Sequence, residues 1–198
     1  MLKNICVYCG SASGSEPEFA AGAAELGATM ASEGIGLVYG GGNTGLMGQV
    51  ARATLQADGK VCGIIPEFLK SRELMLAEAQ ELIVTKDMHA RKRLMFERAD
   101  AFIALPGGVG TLEELVEQLT WAQLEQHRKP ILILDIKGFW RPLLSLLAHM
   151  RQFGFIHSNF EVRYLVAERV SEAIPMLRSA MTHSKSAFSS VVPDISKL

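Results

Sequence analysis

The chain has 198 residues with 48% hydrophobic content, and its 20 Lys and Arg nearly balance 21 Asp and Glu, for a formal charge of -1. That length suits one sizeable core, the apolar content excludes a disordered chain, and the balanced charge excludes a broad surface for a nucleic acid polymer while leaving room for a local basic pocket. Apolar runs of about five or six residues fall far short of the roughly 20 that cross a bilayer, so no membrane is expected as a partner.

The first residues lack the long apolar core and cleavage site of a secretory leader, and three cysteines make no disulfide framework, so a cytoplasmic location is expected. Short β-rich runs follow at 5–8, 36–39, 61–65, 82–84, 101–105 and 131–134, each reading as a strand buried on both faces. Between most of them lie stretches of helical period at 18–32, 46–56, 88–98, 112–125 and 140–152. This alternation predicts an α/β domain over residues 1–181, a mainly parallel sheet with helices on both faces. A Ser-rich, nearly acid-free tail, 182–198, is expected to be flexible or docked on a partner. Cys6 and Cys9 would point to opposite faces of their strand, and no second Cys or His pair stands at zinc-ligand spacing. They read as buried thiols, and no metal is expected.

The 18 glycines, about 9% of the chain against an average near 7%, are clustered. In an open parallel sheet ligands bind beyond the carboxyl ends of the strands, and two clusters fall there. Glycine turns that enter a helix let backbone N–H groups approach a phosphate. The first cluster runs from Gly40 to Gly48 and satisfies G-x-G-x-x-G through Gly40, Gly42 and Gly45, making Gly41, Gly42, Asn43 and Gly45 candidate phosphate or ribose contacts. It follows the second strand rather than the first, and the acid expected about 20 residues later is poorly met by Asp58 and Glu67, which weakens a dinucleotide reading. Neither cluster continues into G-K-[ST], so triphosphate hydrolysis lacks its lysine and its magnesium-binding hydroxyl. Tight turns with no ligand are the alternative for either loop alone.

The second cluster, Pro106-Gly107-Gly108-Val109-Gly110-Thr111, runs into Leu112-Glu113-Glu114. Thr111 and Glu114 could form a T-x-x-E capping box that only satisfies the helix start. Alternatively, a phosphate held in the loop would place a sugar beside a carboxylate, because one helical turn of about 5.4 Å matches the reach from a 5-phosphate to the anomeric carbon of ribose. Leu112, Leu115, Val116 and Leu119 are expected to form the buried stripe, with both acids off it.

The helix from Asp87 supplies cations. Met88, Met95 and Ala99 form its apolar stripe, flanked by Arg91 and Lys92, while His89, Arg93 and Glu97 point away. The two cations either snorkel into solvent or meet an anion, for which Arg91 is the better bidentate clamp. Glu73 has no assignment from spacing.

Taken together, the Pro106 to Glu114 motif P-G-G-x-G-T-x-x-E, the Gly40 to Gly48 cluster, Asp87-Met88-His89-x-Arg91-Lys92 and Leu119-Thr120-Trp121-Ala122 resemble the LOG ("lonely guy") family of cytokinin riboside 5'-monophosphate phosphoribohydrolases. The resemblance covers roughly residues 3–178. It implies a Rossmann-like fold and hydrolysis of the N-glycosidic bond of a nucleoside 5'-monophosphate to free base and ribose 5-phosphate, with no cofactor. Glu114 would be the catalytic acid and Arg91 its cationic partner. Glu73, Arg91, Lys92, Gly108, Val109, Gly110, Thr111, Leu112, Glu113, Glu114 and Thr120 would contact substrate. It also implies a homo-oligomer, at least a dimer, with the site near the subunit interface. Older labels of lysine decarboxylase would require pyridoxal phosphate, and no lysine stands out as a Schiff-base former. A non-catalytic nucleotide-binding or sensing module would use the same loops and is the alternative.

Overall fold

A computed structural model describes residues 1–70, 75–156 and 162–183. In chain order they form β1 (Asn4–Tyr8), α1 (Pro17–Ser32), β2 (Gly36–Tyr39), α2 (Gly45–Gln56), β3 (Val61–Pro66), β4 (Glu81–Thr85), α3 (Met88–Arg98), β5 (Ala101–Ala104), α4 (Val109–Gln123), β6 (Ile131–Leu134), α5 (Arg141–Gln152), β7 (Leu165–Ala167) and α6 (Val170–His183), with short 3-10 turns at Glu67–Leu69 and Ile136–Gly138. The seven strands form one parallel sheet in the order β4-β3-β2-β1-β5-β6-β7.

Side chains alternate across each strand and divide the core into two layers. Ile5, Val7 and Cys9 join Leu26 and Met30 of α1, Val50 of α2 and Leu177 of α6 on one face. On the other, Cys6 and Tyr8 meet Met95 of α3, Leu115 and Leu119 of α4 and Leu144 of α5. Cys6 and Cys9 are thus buried in separate layers. No helix among the described residues is long and apolar enough to cross a membrane.

The bounds of the six predicted strands and five predicted helices lie within three residues of those observed, but two expectations change. The strand at 82–84 is not buried on both faces: β4 is an edge strand and Val84 is 41% exposed. The pattern also gave no element between 153 and 181, where β7 and α6 complete the sheet and its second layer. The tail predicted to begin at 182 overlaps the end of α6, and residues 184–198 lie outside the described residues.

The order of strands places the site. From β1 the chain first moves through β2 and β3 to β4, then returns through α3 to β5 on the other side of β1. Connections from the ends of β1 and β5 therefore leave toward opposite faces, opening a crevice at the carboxyl ends of the sheet.

Candidate active site

Two helices bring the acids and cations together. Asp87 caps α3, its Oδ1 accepting from the Ala90 amide at 2.7 Å. One turn later Arg91 points inward rather than along the flank of the apolar stripe, and only 8% of it is exposed. Its Nε donates to the Ile64 carbonyl at 3.1 Å, and its Nη1 stands 3.2 Å from Oε1 of Glu114.

Glu114 reaches Arg91 because α4 begins earlier than the capping-box reading allows. Gly108 occupies the N-cap position, which makes Thr111 the third helical residue and Glu114 the sixth, so no T-x-x-E box forms. The buried face is Thr111, Glu114, Leu115, Gln118 and Leu119, at the i, i+3, i+4, i+7, i+8 spacing of one helical stripe. The expected stripe is corrected at two places: Val116 is 40% exposed, and Glu114 lies inside the stripe.

Burial dominates the chemistry of Glu114. Desolvation pushes its carboxyl up to about 7, against the pull of Arg91 and Lys92 and with help from Glu113 and Glu117. A carboxyl held there exchanges protons near neutrality, as an acid or base in catalysis must. Lys92 is engaged elsewhere: its Nζ donates to Glu113 at 2.5 Å and to Glu117 at 2.7 Å. Burial would lower that ammonium, but the two carboxylates outweigh it and hold it above its ordinary value. Glu117 escaped the sequence reading, although its i+4 spacing from Glu113 places both on the seam with α3.

The two glycine loops differ. In the first, the Leu46 and Met47 amides at the start of α2 already donate to the Gly10 carbonyl at 3.0 and 3.2 Å. Gly41 pairs through its carbonyl with the Leu76 amide, Gly42 bridges Met75, the Asn43 side chain accepts from Arg52, and Gly45 (φ +56°) packs on the Ser11–Ala12 backbone. In the second, the Pro106 carbonyl accepts from the Gly10 amide at 3.0 Å and Gly107 lies against Gly10 and Thr111. Gly108, Val109 and Gly110 are exposed, and a side chain at either glycine would meet nothing within 4 Å. No side chain caps α4, and among the described residues no carbonyl outside the helix accepts from the Val109, Gly110 or Thr111 amides. These amides stand open at the positive end of the helix, an arrangement that can take an anion such as a phosphate.

Arg91, Glu114 and the Gly108 to Thr111 turn are therefore close together, with Leu112 half-buried beside them and Glu113 turned to Lys92. Thr120 is not among them. Its hydroxyl donates to the Val116 carbonyl on the exposed face of α4, about 9 Å along the helix from Glu114. Glu73 lies outside the described residues.

Residues 47–177 match the family described as "Possible lysine decarboxylase". Cytokinin riboside 5'-monophosphate phosphoribohydrolase LOG7 of Arabidopsis thaliana is 47% identical over 155 residues, 78% of this chain and 71% of that protein. Probable cytokinin riboside 5'-monophosphate phosphoribohydrolase LOG4 of Oryza sativa subsp. japonica is 41% identical over 179 residues, covering 90% and 78%. In structure, the molybdenum cofactor carrier protein of Chlamydomonas reinhardtii superposes with a TM-score of 0.68 at 20% identity, over 92% of this chain and 99% of that one. The molybdenum cofactor binding protein of Rippkaea orientalis gives 0.67 at 26% identity, over 91% and 98%. With motif, fold and relatives in agreement, the chain belongs to the LOG family of cytokinin riboside 5'-monophosphate phosphoribohydrolases.

Proposed function

We propose that the chain hydrolyses the N-glycosidic bond of nucleoside 5'-monophosphates, AMP or its N6-modified forms, releasing the base and ribose 5-phosphate. The observation that carries this reading is a buried carboxyl, Glu114, poised near neutral pH beside Arg91 and one helical turn from open phosphate-binding amides. The 5'-phosphate rests on the Gly108 to Thr111 turn, which lays the ribose along the first turns of α4. Cleavage builds positive charge on the sugar, and an ionised Glu114 beside the anomeric carbon stabilises it and orients the attacking water. Arg91 holds that carboxylate in place and favours its charged form. Lys92 keeps Glu113 and Glu117 paired, which limits their repulsion of Glu114.

Thr120 fits the same scheme only from a second copy, because its face of α4 turns away from Glu114. That face also exposes Val109, Val116 and Leu124. A homo-oligomer, at least a dimer, would cover those residues and bring Thr120 to a neighbouring site. Three unpaired thiols suit a cytoplasmic setting.

Incubation with AMP and with isopentenyladenosine monophosphate, followed by chromatography, tests the reading. Wild type should release free base from at least one of them and Glu114→Gln should not. Binding of both nucleotides with no base released overturns the enzyme reading in favour of a non-catalytic nucleotide-binding module, an alternative that gains weight from the fold shared with proteins named for binding and carrying a cofactor.

A further inference from the structure

The Arg91 guanidinium needs a slot deep enough to bury it beside Glu114, and the slot is made by a residue with no side chain. Gly40 directly follows β2 and is buried. A Cβ at this position would overlap Nη2 of Arg91 and stand 3.0 Å from Sδ of Met47 and 3.5 Å from Cζ of Arg91. These three nearest atoms all belong to side-chain ends. Gly40 also lies outside the left-handed region that Gly41 (φ +80°) and Gly45 (φ +56°) occupy. Backbone conformation therefore does not require glycine at position 40, and no backbone neighbour crowds it as the Ser11–Ala12 backbone crowds Gly45.

We infer that Gly40 is a positioning residue whose missing side chain holds the Arg91 guanidinium against Glu114, so that the first glycine cluster serves the reaction through this cation rather than through contact with substrate. The inference rests on the roles proposed above for Arg91 and Glu114. An alanine methyl at position 40 would displace Nη2 while the flexible arginine stem absorbs the movement, sparing the fold. The Nη1 to Glu114 contact, already at 3.2 Å, would open. Misplacement of a reacting constellation by about 1 Å can cost about 10²-fold in rate.

Displacing Arg91 also acts on the protonation of Glu114. Arg91 and Lys92 from α3 favour its charged form; Glu113 and Glu117 on its own helix oppose it. Beneath them lie Cys6 and Tyr8, with Cys9 in the opposite core layer; the protons of all three are held by burial above all and also by the Glu114 charge. Moving the first of the two cations away raises the Glu114 carboxyl further.

The test compares wild type, Gly40→Ala, Arg91→Ala and the double variant. It measures base release from the nucleotide that wild type hydrolyses, melting temperature, and the titration of Glu114 in free protein by its infrared carboxyl band, with Glu114→Gln as the blank. Gly40→Ala should lower kcat/KM about 10²-fold, leave the melting temperature within a few degrees, and shift the Glu114 titration upward. In the Arg91→Ala background the same substitution should change kcat/KM less than about twofold, because its target is gone. Wild-type kcat/KM with an unmoved titration in Gly40→Ala would overturn the inference, as would losses that multiply in the double variant or a Gly40→Ala chain that does not fold. If wild type releases no base, the proposed reaction fails on its own and the titration still decides the role of Gly40.

Discussion

The two glycine loops look alike in sequence and differ in what their helix ends meet. Each leaves the carboxyl end of a buried strand beside the central β1 or its neighbour, and each leads into a helix. The first loop is consumed by the protein: its helix amides donate to Gly10, and Gly45 lets the β1–α1 backbone lie against it. The second is half consumed, through Gly107, and half open, through Gly108 and Gly110. What separates an anion site from a packing joint is whether a carbonyl has already taken the helix N-terminus. Glycine count does not reveal that; only the contacts of the first turn do.

The sharpest way to break this contrast is to remove the buried carboxylate one helical turn beyond the open loop. Glu114→Gln should lower kcat by about 10³-fold, within the range for a lost acid or base group. Its stability should move the other way with pH. The folded chain holds this proton up to about 7, above the ordinary glutamate value of 4.5, so folding favours the protonated form. That contribution is complete below about pH 4 and is lost as pH rises through 7. Glutamine carries no charge, so the variant should gain on wild type by about 3 kcal/mol between pH 4 and pH 8 in denaturant titrations. No relative gain would show that Glu114 is ionised in the fold without cost.

Gly45→Ala tests the consumed loop. A methyl there meets the Ser11–Ala12 backbone and the residue keeps a positive φ, so the variant should lose about 3 kcal/mol in chemical denaturation. A loss under about 0.5 kcal/mol would mean that the first loop is slack enough to admit a ligand. Lys92→Met comes next, at about 2 kcal/mol, because it leaves Glu113 and the half-buried Glu117 as unpaired neighbours. An unchanged melting curve at pH 7 would show that the two ion pairs contribute no net stability.

How far these features were legible in the sequence follows from burial. The strands β1, β2, β5 and β6 are short runs buried on both faces, and such runs announce themselves. β7 has three residues at an edge, and α6 carries Pro175 within it, so neither shows a clean period. In the site, Arg91 was visible as a cation beside an apolar stripe, but its burial was not, because charged residues are expected at the flank. Glu114 was misplaced for the same reason. A stripe drawn from Leu and Val alone runs through exposed Val116, whereas the true face admits Thr111, Glu114 and Gln118 between Leu115 and Leu119. The carbonyl of Gly10, which fills the first helix end, carries no residue-specific signal at all.

The smallest expected effect tests the comparison most directly. Gly110 lies in the first turn of α4, exposed, without positive φ, and with open space where a side chain would stand. In the free protein nothing there needs glycine, so Gly110→Ala should stabilise the fold by about 0.5 to 1 kcal/mol through helix propensity and reduced freedom of the unfolded chain. If a phosphate sits on these amides, the methyl crowds it and KM should rise about tenfold with kcat little changed, the mark of binding lost equally from ground and transition states. A more stable enzyme with weaker substrate binding is an outcome that packing alone does not produce. Stabilisation with unchanged KM would mean that the open half of the second loop is empty in the substrate complex, and the phosphate would have to be sought elsewhere along the crevice.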